Sequence, residues 1–331
     1  MKRLTFSGGL ASAITLFATL ACMEVSAESE APPDTGDTTA DELQARVSTR
    51  VADTAAWLDS FFATDNYEAE SNTTSLRLGV SSFSERGEGT DVRAKTGLRL
   101  SLPYLENRLR FSFSGATDDF DTTDSEWEDI DEYVDGTDED SLGAALTYFF
   151  REQARRNVSL SGGVRFRSGN PGVYVRPRYR QTWNVSSWDL RFIQRFSWYS
   201  DSGLDARSKL QAERLLGSDW FFRTITQVDW YEDEDGFFPQ QNFALIRPFS
   251  DKRVLAFHWN NYIKTDPGTV LDSTLFRLRY RQRIWRSWLW FSVAPQVVFP
   301  REKDYEAVPG IMLEIEAWFR ETQDAVGRTR N

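Results

Sequence analysis

Arginines alternate with apolar residues in several stretches of this sequence. In residues 187–200 (SWDLRFIQRFSWYS), Arg191 and Arg195 alternate with aromatic and aliphatic side chains. A period of two is that of a β-strand, in which successive side chains point to opposite faces. Such a strand has one apolar face and one charged face. A row of guanidinium groups on the charged face would attract anions or polarise water.

The same alternation recurs along most of the chain and ends in a pair of glutamates. The charged residues in it are Arg93, Lys95, Arg99, Arg108, Arg110, Arg165, Arg167, Arg176, Arg178, Arg180, Arg191, Arg195, Arg277, Arg279, Arg281 and Arg283, followed by Glu314 and Glu316. Because each of them alternates with apolar residues, all lie on the face opposite to the apolar one. Glu314 and Glu316 would pair with arginines on that face, such as Arg77.

Catalytic chemistry has a single candidate residue. His258 is the only histidine, and hydrolytic sites generally need a histidine next to a serine or a carboxylate. By parity, His258 shares a face with Ala256, Asn260 and Tyr262, and no serine on its strand is placed to be activated. The sequence has no Gly-rich phosphate loop, metal-ligand cluster or cofactor motif. We therefore expect no enzyme activity, no catalytic residue, no cofactor and no metal.

The arginine stretches belong to fourteen alternating segments of about ten residues, separated by turn signals. These segments begin near Leu76, Val92, Leu109, Leu142, Val158, Val173, Trp188, Lys209, Trp220, Phe238, Val254, Thr274, Trp288 and Ile311. The connections between them alternate between a short kind and a longer or more acidic kind. An even number of antiparallel strands puts both ends of the chain at one rim, with short turns there and longer loops at the other rim.

Tryptophans repeat at a spacing of ten residues. Trp188 and Trp198 lie at opposite ends of one segment and share a face, as do Trp220 and Trp230. Ten residues that rise about 3.3 Å each, tilted by about 40°, climb about 25 Å, which is the height of the apolar band of a membrane barrel. Tryptophan prefers the interface between membrane and water. The predicted aromatic girdle comprises Trp183, Trp188, Trp198, Trp220, Trp230, Trp259, Trp285 and Trp288.

The C-terminal segment resembles the last strand of Gram-negative outer-membrane barrels. Gly310, Leu313, Ile315, Ala317 and Phe319 carry this resemblance. It implies a porin-like architecture: an all-β, up-and-down antiparallel transmembrane β-barrel of about fourteen strands over residues 75–319, with a periplasmic tail over residues 320–331. A soluble all-β sandwich or barrel would also show the alternation, but it would not explain the tryptophan spacing or the difference between the rims.

The arginine face must be the interior of such a barrel. An arginine at the lipid midplane costs about 2–4 kcal/mol, so more than a dozen of them could not face the membrane. We therefore expect an interior that is wet and net cationic. A barrel of fourteen strands is larger than the small barrels whose interior is filled by side chains and smaller than the open porins. The strand count alone therefore does not distinguish an open pore from a filled interior.

The N-terminal residues have the organisation of a secretory signal. Lys2 and Arg3 precede an apolar run over residues 10–22, and the small residues Ser26 and Ala27 follow it. This predicts that residues 1–27 are a signal peptide cleaved near Ala27. Residues 28–40 are acidic, contain two adjacent prolines and are predicted to form a disordered linker.

Residues 41–62 change to helical spacing. Residues three and four apart, all apolar except Thr54, run through Leu43, Val47, Val51, Thr54, Leu58 and Phe61. They predict a short amphipathic periplasmic helix, which together with its connector makes up residues 41–74. Its apolar stripe would either plug the barrel from the periplasmic side or lie on the periplasmic membrane surface.

The acidity of the protein comes from one predicted loop. Residues 118–140 contain thirteen aspartates and glutamates and no lysine or arginine, which exceeds the whole net charge of −11. This loop would be either a solvated surface loop, holding divalent cations among lipopolysaccharide, or one that folds inward opposite the arginines.

The function that we predict from these patterns is an outer-membrane pore for small hydrophilic solutes, anionic or of mixed charge. The alternative is a non-conducting barrel with a structural or surface-interaction role, and a lipid-modifying enzyme is a distant third. Expected partners are outer-membrane lipid, lipopolysaccharide, the barrel-assembly machinery and small solutes. Nucleic acid is not expected, because the arginines would lie inside the barrel.

Overall fold

The computed structural model describes residues 75–87, 89–101, 109–115, 141–153, 155–167, 170–217 and 219–320. The predicted signal peptide, linker and helix at residues 41–62 lie outside these ranges, as do the acidic residues 118–140 and the tail from residue 321. No helix within these ranges is long and apolar enough to cross a membrane.

Fourteen strands form one closed antiparallel sheet. The strands are β1 (Ser75–Glu85), β2 (Gly89–Ser101), β3 (Leu109–Gly115), β4 (Ser141–Gln153), β5 (Arg156–Arg167), β6 (Asn170–Val185), β7 (Trp188–Tyr199), β8 (Gly203–Leu216), β9 (Trp220–Tyr231), β10 (Phe238–Ser250), β11 (Arg253–Lys264), β12 (Val270–Arg283), β13 (Leu289–Pro300) and β14 (Val308–Arg320), with a 3₁₀ turn at Arg301–Lys303 before β14. Each strand pairs with its neighbours in the chain, and β1 pairs with β14 from Ser75↔Arg320 to Glu85↔Gly310. The predicted fourteen-stranded up-and-down barrel is therefore confirmed.

The strands are longer than predicted, and the connections at the two rims differ less than expected. Only residues 168–169 separate β5 from β6, and only residues 200–202 separate β7 from β8. Strand β8 begins at Gly203 rather than near Lys209 because Asp205 and Arg207 continue the alternation with Leu204. Polar residues of this kind extend the ladder, since pairing satisfies their backbone hydrogen-bonding groups.

Prolines within the strands interrupt the ladder on one side only. Pro177 in β6 is aligned with Leu160 of β5, while the aligned pairs with β7 stop at Val175 and resume at Arg178. Pro295 in β13 is likewise aligned with β14 but not with β12. A proline has no N–H to donate, so each strand keeps one continuous neighbour at these positions.

The inner face of the wall is charged and the outer face is apolar, which is the reverse of the arrangement in a soluble protein. On β7, every second residue is buried. The buried ones include Asp189, Arg191 and Arg195, whereas Phe196 is 52% and Trp198 47% exposed. Soluble proteins bury apolar side chains and expose charged ones. An apolar outer wall around a charged interior suits a barrel whose outer surface meets lipid, and the soluble alternative is wrong.

Candidate functional site

The buried face of the wall holds most of the predicted arginines. Buried are Arg110, Arg165, Arg176, Arg180, Arg191, Arg195, Arg277, Arg279, Arg281, Glu314 and Glu316. Arg93, Lys95, Arg178 and Arg283 are half-buried. Arg108 lies outside the described residues, and for Arg99 and Arg167 the structure describes the backbone only.

Contacts that pass over an intervening strand identify this face as the concave one. Arg279 Nη2 donates to Glu314 Oε2 at 2.9 Å, although β13 lies between their strands. Arg165 in β5 reaches past β6 to Asp201 in the connection after β7, with Nη2 and Oδ1 2.9 Å apart. Side chains two strands apart converge only on the inner side of a closed wall.

A row of paired charges joins the first and last strands. Glu316 of β14 accepts a hydrogen bond from Arg77 Nε of β1 at 2.6 Å. Its other oxygen lies 2.6 Å from Arg281 Nη2 of β12. The predicted pairing of this glutamate with Arg77 is thus confirmed, and the carboxylate is held by two guanidinium groups. Pairing of this kind offsets the cost of burying the charge of Glu316.

The adjacent strands β6, β7 and β8 carry a dense group of cations. We name this group the cationic wall, and it consists of Arg176, Arg178, Arg180, Arg191, Arg195, Arg207 and Lys209. Arg178 is aligned with Arg195, and Arg195 is aligned with Arg207 on the next strand. Like charges directly opposite one another on neighbouring strands are destabilising. The row nevertheless places three arginines at neighbouring positions on the inner face.

The edges of the cationic wall are hydrogen-bonded. Arg207 Nε donates to Asp229 Oδ1 at 2.6 Å. Arg176 Nη2 donates to the Tyr199 hydroxyl at 2.6 Å, and its Nε donates to Ser197 Oγ at 3.3 Å. These bonds fix the guanidinium groups in position at the two sides of the Arg178–Arg195 pair.

A second part of the interior is braced by ion pairs and amides. Arg223 Nε donates to Glu213 Oε1 at 2.6 Å, and both side chains are almost fully buried. Gln211 donates to the same glutamate oxygen at 2.7 Å. Arg277 donates two hydrogen bonds to Gln296, at 2.8 and 2.6 Å. Here Arg223 and Arg277 each have a fixed acceptor on a neighbouring strand.

A third part of the interior is apolar, which the expectation of a wet and net cationic interior did not include. We name it the apolar patch, and it consists of Phe221, Ile225, Ala244, Ile246, Val254, Ala256, Tyr262, Leu275, Trp290 and Val298, with Leu215 and Trp318 at its edge. Sequence reasoning missed it because some of its strands are apolar on both faces, which abolishes the alternation. The adjacent Phe221 and Phe222 were the available signal.

His258 lies within the braced interior and not at a rim. It is 1% exposed, and its aligned neighbours are Ala244 and Arg277. It shares the buried face with Ala256 and Asn260, as the parity argument expects. Within the ranges that the structure describes, no group of three potential metal ligands comes together.

Six of the eight predicted girdle tryptophans lie on the outer face of a strand, whereas Trp285 and Trp288 lie in the connection between β12 and β13. Trp183, Trp198, Trp259 and Trp285 are exposed, and Trp188, Trp220, Trp230 and Trp288 are half-buried. Trp259 departs from the prediction, because it lies midway along β11 and not near a strand end. It belongs to a row of outer-face rings, with ring centroids 5.1 Å from Phe243 and 6.0 Å from Phe276.

Comparison with known proteins gives structural neighbours but no relatives in sequence. No protein-family model matches the chain, and no curated protein matches it. An anion-selective porin from Comamonas acidovorans is 9% identical, with 75% of this chain and 98% of that chain covered and a TM-score of 0.45. The outer membrane protein Omp33 of Acinetobacter baumannii is 8% identical over 75% and 99%, with a TM-score of 0.42. A bacterial polysaccharide outer membrane secretin is 12% identical over 75% and 99%, also with a TM-score of 0.42.

Structural similarity at these sequence identities and TM-scores does not identify a solute for this protein. The closed fourteen-stranded wall, its apolar outer face and its charged interior stand on the chain's own geometry. A closed antiparallel wall of fourteen strands with an apolar outer face has the architecture of a transmembrane β-barrel.

Proposed function

We propose that this protein is an outer-membrane pore for small hydrophilic solutes and that it favours anions. The observation that carries the proposal is the cross-strand row of Arg178, Arg195 and Arg207 on the inner face. On β6 and β7 the only inner-face carboxylate is Asp189, at one end of β7. Asp189 lies two residues from Arg191 on this face, and Arg207 of the row is hydrogen-bonded to Asp229.

The cationic wall would act as a ladder of weak anion sites. Same-face residues on a strand are about 6.6 Å apart, so Arg176, Arg178 and Arg180 present donors at successive heights. Arginine stays charged at all physiological pH values and donates several N–H groups to one anion. Several weak sites in series attract an anion and still release it, which conduction requires.

Single-channel recording under a KCl gradient tests this proposal. We expect the wild-type reversal potential to show a preference for chloride. In the Arg178→Gln/Arg195→Gln protein, the ratio of chloride to potassium permeability should fall about twofold or more, because two inner cations are lost. The matched control is Arg214→Gln/Arg247→Gln, which removes two outer-face arginines that lie over Trp188 and Trp220. Cation preference in the wild-type protein, or an equal fall in the control, would contradict the proposal.

A non-conducting structural barrel is the second candidate, and a specific observation favours it. Interior residues such as Asn260 and Arg281 have no solvent exposure. The ion pairs of Arg223 with Glu213 and of Arg279 with Glu314 brace the wall as a filled core would. If neither the wild-type protein nor its variants give a single-channel current at any voltage, the result favours this candidate.

The cellular context belongs to the same proposal. The predicted cleavage near Ala27 would deliver the chain to the periplasm, where the barrel-assembly machinery would insert it. Its apolar wall would then lie in outer-membrane lipid, with one rim among lipopolysaccharide.

A further inference from the structure

Two arginines on the outer face lie near one rim of the barrel. We name it the terminal rim, because β1 begins there and β14 ends there. The even-numbered strands run in the direction of β14 and end at this rim. Arg214 lies two residues before the end of β8, and Arg247 lies three residues before the end of β10. Both are half-buried on a largely apolar face, near the level at which a membrane barrel meets lipid headgroups.

Each of these arginines lies against aromatic rings. The guanidinium carbon of Arg214 is 5.6 Å from the ring centroid of Trp188, and that of Arg247 is 5.2 Å from the centroid of Trp220. Arg247 also lies 5.4 Å from the ring of Phe249. Such contacts attract a cation, but the ring face does not replace an oxygen acceptor for the N–H groups of a guanidinium. The rings therefore hold the two cations at the terminal rim.

The two arginines differ from those of the interior in lacking an acidic partner. Neither Arg214 nor Arg247 has an ion pair within the ranges that the structure describes. Arg214 Nε is a buried atom with no hydrogen-bond partner among those residues. A buried donor without an acceptor costs free energy. An acceptor from outside the chain would remove that cost, and the charge of the arginines favours an anionic one.

The two guanidinium groups are close enough to bind one anion. Arg214 is aligned with Phe222 of β9, and Ile246, next to Arg247, is aligned with Phe221. Arg247 is thus offset from Arg214 by two residues across two strand spacings. With about 4.8 Å between strands and about 3.3 Å per residue, their Cα atoms lie about 12 Å apart. Two long arginine side chains can meet at one group between these positions.

An apolar track leads from this pair toward the middle of the wall. The ring centroid of Phe222 lies 6.1 Å from that of Trp188 and 6.5 Å from that of Phe243 on the outer face. Leu245, aligned with Phe222, lies between Arg247 and Phe243 on β10. From Arg247 to Phe243 the tilted strand descends about 10 Å. The track is therefore placed to contact an acyl chain below an anionic headgroup.

We propose that Arg214 and Arg247 bind the phosphate of an anionic phospholipid in the leaflet at the terminal rim. Guanidinium groups bind phosphate oxygens through paired N–H donors. A zwitterionic phospholipid has the same phosphate, but its ammonium group repels the two arginines. The site therefore favours a lipid of net negative charge, one acyl chain of which lies along Phe222, Leu245 and Phe243.

Native mass spectrometry of the full-length protein tests this proposal. The protein is reconstituted into vesicles of phosphatidylglycerol and phosphatidylcholine in equal parts and extracted in mild detergent, and the lipid that each barrel retains is identified by its mass. We expect the wild type to retain phosphatidylglycerol in preference to phosphatidylcholine. In Arg214→Gln/Arg247→Gln this preference should fall about fivefold or more, because each cation near anionic lipid contributes about that factor.

The matched control is Arg155→Gln/Arg156→Gln, where the chain passes from β4 to β5 at the same rim. Both of these arginines are exposed. The control removes the same charge from the same rim and leaves the proposed site intact, so its lipid preference should stay close to that of the wild type. Arg214→Lys/Arg247→Lys keeps both charges and should retain more phosphatidylglycerol than the glutamine pair does.

A preference lost in Arg214→Gln/Arg247→Gln and kept in the control supports the proposal. Equal retention of the two lipids by the wild type would overturn it, as would equal losses in the two glutamine pairs. Equal losses in the lysine and glutamine pairs would mean that the arginines act through packing and not through charge, which also overturns it.

Inorganic phosphate distinguishes a lipid from a free anion, because it has the charge without the acyl chain. In excess it should leave phosphatidylglycerol bound, and displacement of the lipid would overturn the proposal. A dimer in place of retained lipid, lost in Arg214→Gln/Arg247→Gln, would overturn it as well by assigning the site to a second copy of the chain. Lipid retention is measured without reference to conduction, so this proposal and the proposal of a pore can fail separately.

Discussion

Single buried charges hold the seam between the first and last strands. Glu316 is 2% exposed and contacts both Arg77 and Arg281. Removing one member of such a group leaves the others charged and without compensation in a low-dielectric interior, which costs about 3–5 kcal/mol. The carboxylate is therefore more important to the barrel than its single charge suggests.

Replacing this carboxylate gives the first prediction. Glu316→Gln should lower the free energy of unfolding of the reconstituted barrel by about 3 kcal/mol or more, measured by urea denaturation. The control is Asp272→Asn, which removes the partner of Lys264 in an exposed pair 3.3 Å apart. Exposed pairs contribute about 0–1 kcal/mol, so the control should stay close to wild type. If Glu316→Gln and Asp272→Asn lower the free energy of unfolding equally, Glu316 does not stabilise the barrel more than an exposed ion pair does.

The single histidine gives the second prediction. His258 is buried among interior residues and is aligned with Ala244 and Arg277. A base needs a nucleophile and access to substrate. We expect wild-type and His258→Ala proteins to show the same background hydrolysis of phospholipid and lipid A. Hydrolysis by the wild type that the variant lacks would restore the enzyme hypothesis.

At the scale of the strands, the sequence predicted the elements where alternation is clean. The predicted starts Leu109, Trp188, Trp220 and Phe238 coincide with the first residues of β3, β7, β9 and β10. Strand β8 was placed six residues late because Gly203 and Asp201 read as a turn. A turn signal is local, whereas the end of a strand depends on whether its neighbour continues to pair.

The interior was less predictable than the strands. The parity rule distinguished inner from outer positions, so the burial of Arg191 and His258 could be anticipated. The apolar patch could not, because its residues come from β9 to β13 and meet only when the barrel closes. The same holds for the braces of Glu213 and Glu314, whose partners depend on register.

The acidic loop gives a prediction at this scale. Residues 118–140 belong to the connection between β3 and β4 and lie outside the described residues. If the cationic wall sets ion preference, replacing residues 118–140 with a short Gly-Ser turn should leave the reversal potential under a KCl gradient unchanged, because a solvated loop is screened within about 8–10 Å. A reversal potential that moves toward stronger chloride preference would mean that these carboxylates enter the conduction path.

At the scale of the whole molecule, the apolar outer wall determines where the protein can exist. Two leucines on one strand test this wall. Leu210 and Leu216 are both 39% exposed on the outer face of β8, one in the middle of the strand and one at its end. Leu210→Arg should destabilise the barrel in lipid by about 2–4 kcal/mol, and Leu216→Arg by about 0–1 kcal/mol.

The measurement for this pair is urea unfolding in phospholipid vesicles. The comparison controls for residue type, exposure and strand, so only depth in the membrane differs. Equal destabilisation of the two variants would mean that the wall does not cross a bilayer at the expected height.

The pairing of β1 with β14 has a consequence for biogenesis. The first strand made has no second neighbour until the last one arrives, so the ladder edge of β1 stays open through most of synthesis and delivery. An unpaired edge readily joins the edge of another chain. Chaperones must therefore protect the edge of β1 until the C-terminal strand is present. A chain truncated before β14 would be prone to aggregate.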